Sequence, residues 1–112
     1  MSGVPPSMED RMTTVARLRT AHLEAPFPSR LTSVEVAGVE MVMLDTDVAG
    51  CVGTWLNNGG RIDDRWWNVL ATRERQLERV VPELSGREAA YYLRLLEMTV
   101  LVLDSSEGQP LG

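Results

Sequence analysis

The chain has 112 residues, of which 44% are hydrophobic and 24% charged, and its net charge at pH 7 is -5. This composition is ordinary for one globular domain and excludes a collagen-like or intrinsically disordered chain. The acidic balance argues against nucleic acid as a partner, because affinity for the nucleic-acid backbone comes from clustered cations.

The residue usage predicts a cytoplasmic protein. Cys51 is the one cysteine, so no internal disulfide can form and a reducing compartment is the default. No basic segment followed by an apolar run stands at the N-terminus, so we expect no secretory signal. The apolar run Met98–Leu103 is far shorter than the about 20 residues that span a bilayer, and we expect no membrane association. All 11 basic residues are Arg, which indicates a bacterial genome of high G+C content.

The chain opens with a predicted helix after a short disordered segment. We expect disorder at residues 1–6, a single α+β domain over residues 7–104 and a disordered tail at residues 105–112. Apolar side chains at helical spacing predict a first helix from Met8 to Leu23, which Ser7 can cap. The sequence Ala-Pro-Phe-Pro that follows stops the helix, because each proline pushes the residue before it out of the helical region.

A hairpin is predicted between residues 31 and 44, where apolar and polar residues alternate around Ala37-Gly38. A two-residue loop places Val36 opposite Val39. A single hairpin is marginally stable in water, so it must lie under helices or gain strands from another copy of the chain. The hairpin therefore predicts a homodimer.

The pattern changes to a helical period near Asp47, which predicts a second helix. Asp45, Thr46 and Asp47 are the predicted caps of its first turn. Gly50 and Gly53 within this helix predict the close approach of a neighbouring backbone, since glycine is otherwise unfavourable there. The apolar positions of this helix are Val48, Cys51, Val52, Trp55 and Leu56.

Two further helices complete the predicted fold. The third begins at Asp63 or Asp64 and ends at Val81, before Pro82. Ser85 and Glu88 form a capping-box pattern at the start of the fourth. The apolar run Met98–Leu103 is either the end of this helix or a strand, and we predict a helix. The fold class is therefore α+β, with an N-terminal helix, one β-hairpin and three helices packed on the small sheet, which dimerisation can extend.

Few residues in this chain could carry catalysis. Asp45 and Asp47 after an apolar strand resemble the Asp-x-Asp of haloacid-dehalogenase phosphatases, but such an enzyme needs a lysine further on and the chain has none. His22, the sole histidine, is predicted to be exposed near the end of the first helix. Cys51 is predicted to be a buried structural thiol. We therefore predict no catalytic residue, no metal and no cofactor, and an enzyme is the less favoured reading.

The aromatic residues indicate a binding surface instead. Trp66 and Trp67 are adjacent on a helix and point about 100° apart, so both cannot face the same core. With Arg73 and Trp55 they form the predicted binding residues, because tryptophan and arginine are enriched in interaction hot spots. The alternative is that both adjacent rings pack inside. The favoured function is a small cytoplasmic protein-interaction or regulatory module that self-associates and binds a protein partner.

The second hypothesis is a small-molecule-binding protein or enzyme. Its pocket would lie between the sheet and the helices, with acidic side chains at the mouth. Its predicted lining is Met41, Met43, Trp55 and Tyr92, and its predicted acidic residues are Asp45, Asp47 and Glu40.

Overall fold

The computed structural model describes residues 7–106, which form four α-helices and one two-stranded antiparallel sheet. The predicted disordered segments lie outside the described residues, except that the last helix continues to Ser106. Two 3-10 turns, Ser29–Leu31 and Val81–Glu83, connect the longer elements. The elements are α1 (Met8–Glu24), β1 (Glu35–Val36), β2 (Val39–Glu40), α2 (Met41–Asn57), α3 (Asp64–Val80) and α4 (Gly86–Ser106).

The predicted first helix is confirmed. The backbone N–H of Asp10 donates to the Ser7 hydroxyl oxygen at 3.0 Å, which satisfies one of the unpaired donors of the first turn. At the other end Ala25 is extended, with ψ of 135°, because Pro26 follows it. Local chemistry therefore sets both ends of α1.

The predicted hairpin and its register are also confirmed, although each strand has only two residues. Val36 pairs with Val39 and Glu35 pairs with Glu40. Ala37 and Gly38 both have positive φ, at 52° and 80°, as a two-residue hairpin turn of the favoured twist requires.

The predicted start of α2 at Asp45 to Asp47 is wrong. The helix begins at Met41, because the carboxylate of Glu40 accepts the N–H groups of Val42 and Met43 at 3.2 and 3.0 Å. The two aspartates lie inside the helix and are free to bind other elements.

The glycines of α2 do not receive a neighbouring backbone. A Cβ atom at Gly53 would lie 2.8 Å from Nη2 of Arg19, so a guanidinium of α1 occupies that space. A Cβ atom at Gly50 would meet nothing within 4 Å. The predicted close approach of a backbone is therefore wrong, and only Gly53 has a near neighbour, which is a side chain.

The last two helices follow the predicted pattern. The N–H of Trp66 donates to Asp63 at 3.0 Å, which confirms the start of α3, and Pro82 stands in the 3-10 turn that ends it. Residues Met98–Leu103 are helical, as predicted. The carboxylate of Glu88 binds the guanidinium of Arg30 at 2.7 and 2.6 Å, a partner that the capping-box pattern did not predict.

Helices build most of the core. α4 contacts α1, α2 and α3, and the hairpin joins at the start of α2. The largest side chains that are fully buried include Trp55, Tyr92, Leu31, Met41, Leu44, Leu70, Leu77, Leu95 and Met98. The chain is mostly helical with a small sheet, in agreement with a coarse α+β class.

Candidate functional site

A buried polar cluster forms where α1, α2 and α4 meet. Nε2 of His22 lies 2.7 Å from Oδ1 of Asp45, and the hydroxyl of Tyr91 donates to Oδ2 of the same carboxylate at 2.8 Å. Because a carboxylate only accepts hydrogen bonds, the imidazole must carry its proton on Nε2. His22 is 4% exposed, so the prediction that it is an exposed helix-end residue is wrong.

Aromatic rings hold Tyr91 in place. The His22 ring lies 4.4 Å from the Tyr91 ring between centroids, and Phe27 meets it edge-on at 5.7 Å. Tyr92 packs at 5.3 Å, and its own hydroxyl donates to the carbonyl of Met41 at 2.8 Å. Tyr91 is therefore fixed both by its ring contacts and by its bond to Asp45.

Both tyrosine hydroxyls are strongly disfavoured from ionising. Burial raises the pKa of Tyr91, and its hydrogen bond to the Asp45 carboxylate raises it further. Burial is also the main cause of the raised pKa of Tyr92, with the charge of Asp45 second. Tyr91 consequently acts as a hydrogen-bond donor in this cluster and is poorly suited to act as a base.

These shifts predict an unusual alkaline titration, because Tyr91 and Tyr92 are the only tyrosines of the chain. The stability that neutral phenols contribute is complete below the ordinary tyrosine pKa of about 10 and is lost as the pH rises toward the raised folded values. We expect no phenolate absorbance near pH 10 in the native protein, and its appearance together with unfolding at higher pH. Absorbance at about 295 nm, followed beside far-ultraviolet circular dichroism, measures this.

The protein in denaturant is the control for the titration. Both phenols should ionise there near their ordinary pKa of about 10. Phenolate absorbance at that pH in a protein with native helix content would contradict the described packing of the tyrosines.

A pocket of about 500 Å³ adjoins the cluster. We call it the Tyr91 pocket; it is lined by the segment Ala25–Ser29 and by Arg87, Ala90, Tyr91 and Arg94 of α4. The charged side chains in this lining are those of Arg87 and Arg94. Nη1 of Arg94 is buried and has no hydrogen-bond partner among the described residues.

The predicted tryptophan surface is divided between exposed and buried rings. Trp66 is 42% exposed, with the guanidinium of Arg65 at 5.5 Å from its ring, whereas Trp67 is half-buried against the core. Arg73 binds the carboxylate of Asp47 and the side chain of Gln76. Binding by these residues stays a prediction.

Trp55 lies apart from that surface. It is fully buried and belongs to the same core as Met41 and Tyr92, while Met43 is half-exposed at the helix start. Three of the four residues predicted to line a pocket between sheet and helices therefore belong to the core. The pocket described above lies instead beside Tyr91.

Cys51 is buried, as predicted. Burial raises the pKa of its thiol, and the nearby carboxylate of Asp47 raises it further. A thiol held in its protonated form is a poor nucleophile, which agrees with a structural role.

An apolar groove that was not predicted from the sequence lies between α1 and α4. We call it the α1–α4 groove; its volume is about 480 Å³, and Leu93 beside it is 44% exposed. The signal in the sequence is the spacing of Leu93, Leu96 and Val100, which places them on one face of the helix. The groove is lined by Thr14, Leu18, Leu93, Leu96, Glu97, Val100 and Leu101.

Within residues 7–106, no three His, Cys, Asp or Glu side chains come together in a way that could hold a metal ion. No helix in the same range is long and apolar enough to cross a membrane. Comparisons with protein-family models, curated proteins and solved structures give no match.

Proposed function

We propose that the protein is a small interaction module that self-associates through the α1–α4 groove. The observation that carries this proposal is the exposed, almost entirely apolar lining of that groove, with Leu93 at its edge. An exposed apolar groove with polar residues at its rim is the kind of surface on which protein partners dock.

The shape of the groove fits a helix. Leu93, Leu96 and Val100 follow one another at spacings of three and four, which is the seam of two packed helices. Leu18 of α1 and Leu101 of α4 supply further apolar surface beside this seam. The α4 helix of a second copy carries the matching seam, so each copy offers the other both a ridge and a groove.

The charges at the groove support a second copy as the occupant. Glu97 of α4 lines the groove, and Arg17 of α1 is exposed one residue before the lining residue Leu18. In a two-fold dimer the same patch meets itself, so a patch that contains both signs can place the anion of one copy near the cation of the other.

The groove offers more apolar surface for dimerisation than the elements favoured by the sequence. Each strand of the hairpin has only two residues, so extending the sheet would add few backbone hydrogen bonds. Trp66, Trp67 and Arg73 lie on α3, outside the groove. A dimer of this kind leaves the tryptophan face free for a protein partner, as the favoured hypothesis requires.

Replacing Leu93 by Glu is expected to weaken the dimer. A charge at this seam position would be buried in the dimer without a partner, and we expect the dissociation constant to rise at least about thirtyfold, or ~2 kcal/mol. Sedimentation equilibrium at several concentrations measures the monomer–dimer distribution.

Leu23→Glu is the matched control, because Leu23 is 62% exposed on α1 and does not line the groove. It should leave the distribution unchanged. A wild-type protein that stays monomeric at high concentration would refute the proposal, as would equal weakening by the two variants.

A further inference from the structure

We propose that the Tyr91 pocket binds the anionic group, carboxylate or phosphate, of a small organic acid with a flat apolar body. The pocket lies at the segment between α1 and the first 3-10 turn, whereas the groove that carries the proposed self-association lies further along α4. The two proposals rest on different side chains and can fail separately.

The cations of the pocket form no ion pair within residues 7–106. Arg87 and Arg94 line it, and Nη1 of Arg94 is buried without a hydrogen-bond partner in the part of the chain that the structure describes. Arg94 is partly exposed and lines the pocket, so its guanidinium can bind an acceptor there. The planar guanidinium matches the geometry of carboxylate and phosphate oxygens.

The carboxylates near the pocket are already engaged. Both oxygens of Asp45 accept hydrogen bonds within the buried cluster. Glu88, next to Arg87 in the chain, binds two nitrogens of Arg30. The oxygens of these carboxylates therefore form no ion pair with Arg87 or Arg94.

The remaining walls suit a flat apolar group. Phe27 stands between Pro26 and Pro28, and these residues face Ala90 and Tyr91 across the pocket lining. The ring of Tyr91 is held by Asp45 and by its aromatic neighbours, so the floor is formed before a ligand arrives. A volume of about 500 Å³ lies within the range of small-molecule sites.

Isothermal titration calorimetry with benzoate, phenyl phosphate, inorganic phosphate and benzamide tests the proposal. Benzamide has the shape of benzoate without its charge. We expect benzoate or phenyl phosphate to bind at least about tenfold more tightly than benzamide. Equal binding of benzoate and benzamide, or no heat from either aromatic anion at about 10 mM, would overturn it. Inorganic phosphate that binds as tightly as phenyl phosphate would refute the role of the apolar walls.

Variants test whether the anion that gives the larger heat binds in the Tyr91 pocket. Arg94→Gln should weaken its binding at least about tenfold, whereas Arg75→Gln, an exposed change on α3, should leave it within about twofold. Arg87→Gln, at an exposed position, replaces Arg94→Gln if that variant does not fold. Equal effects of the pocket variant and Arg75→Gln would overturn the assignment. We expect these variants to self-associate like the wild-type protein, and sedimentation equilibrium measures this.

Discussion

Replacing Asp45 by Ala is expected to lower the free energy of unfolding by about 3 kcal/mol. The carboxylate accepts hydrogen bonds from His22 and Tyr91, and its side chain is 17% exposed. Removing it leaves the imidazole N–H and the phenol O–H buried without acceptors, and such groups keep the full cost of their lost hydration. Urea unfolding followed by circular dichroism measures the loss.

Asp47→Ala is the matched control for this prediction. Asp47 is on the same helix, but its side chain is 29% exposed and it binds the more accessible Arg73. An ion pair near the surface contributes less, and we expect a loss of about 1 kcal/mol. Both variants replace Asp by Ala on the same helix, so the effect of helix propensity is common to them and cancels in the comparison. A cost of Asp45→Ala no greater than that of Asp47→Ala would contradict the described cluster.

A double-mutant cycle separates the two bonds of Asp45. Combining Asp45→Ala with Tyr91→Phe should cost less than the sum of the single changes, because the phenol that the first change leaves unpaired is absent in the second. Additive costs would show that the hydroxyl of Tyr91 does not depend on Asp45.

The helices were predictable because their ends are set by nearby residues. Ser7 and Asp63 cap α1 and α3 through N–H groups three residues away, and Pro26 holds the residue before it in an extended conformation. Periodicity over a whole turn and a local cap point to the same boundary in each case. Such signals are contained in a short window of sequence.

The start of α2 was mispredicted because its cap is not set by a short window of sequence. Three consecutive candidates, Asp45, Thr46 and Asp47, are common cap residues, while Glu40 is not among the preferred ones. The hairpin register decided the outcome, because it holds Glu40 beside the first N–H groups of the helix. A cap supplied by the residue that closes a hairpin depends on two elements at once.

The buried cluster could not be predicted from one segment. Asp45 is separated by 23 residues from His22 and by 46 from Tyr91, so the tertiary packing of three helices creates the site. The groove was missed for another reason. Residues Met98–Leu103 are apolar on all sides, so the sequence does not show which side of α4 faces the core.

The tryptophans of the chain are expected to differ greatly in their contribution to stability. Trp55 is 0% exposed, and Trp55→Ala should lower the free energy of unfolding by about 4 kcal/mol, since it removes a large buried side chain and leaves a cavity. Trp66→Ala changes an exposed ring and should cost less than about 1 kcal/mol. Urea unfolding measured by circular dichroism compares the two.

A conservative change tests the environment of Trp55 more closely. Its Nε1 is buried and lacks a hydrogen-bond partner among residues 7–106, so Trp55→Phe removes an unsatisfied donor along with some apolar volume. These effects oppose each other, and we expect a loss of only about 1–2 kcal/mol. Trp55→Phe as costly as Trp55→Ala would mean that the indole N–H has a partner after all. Equal costs for Trp55→Ala and Trp66→Ala would contradict the assignment of one ring to the core and the other to the surface.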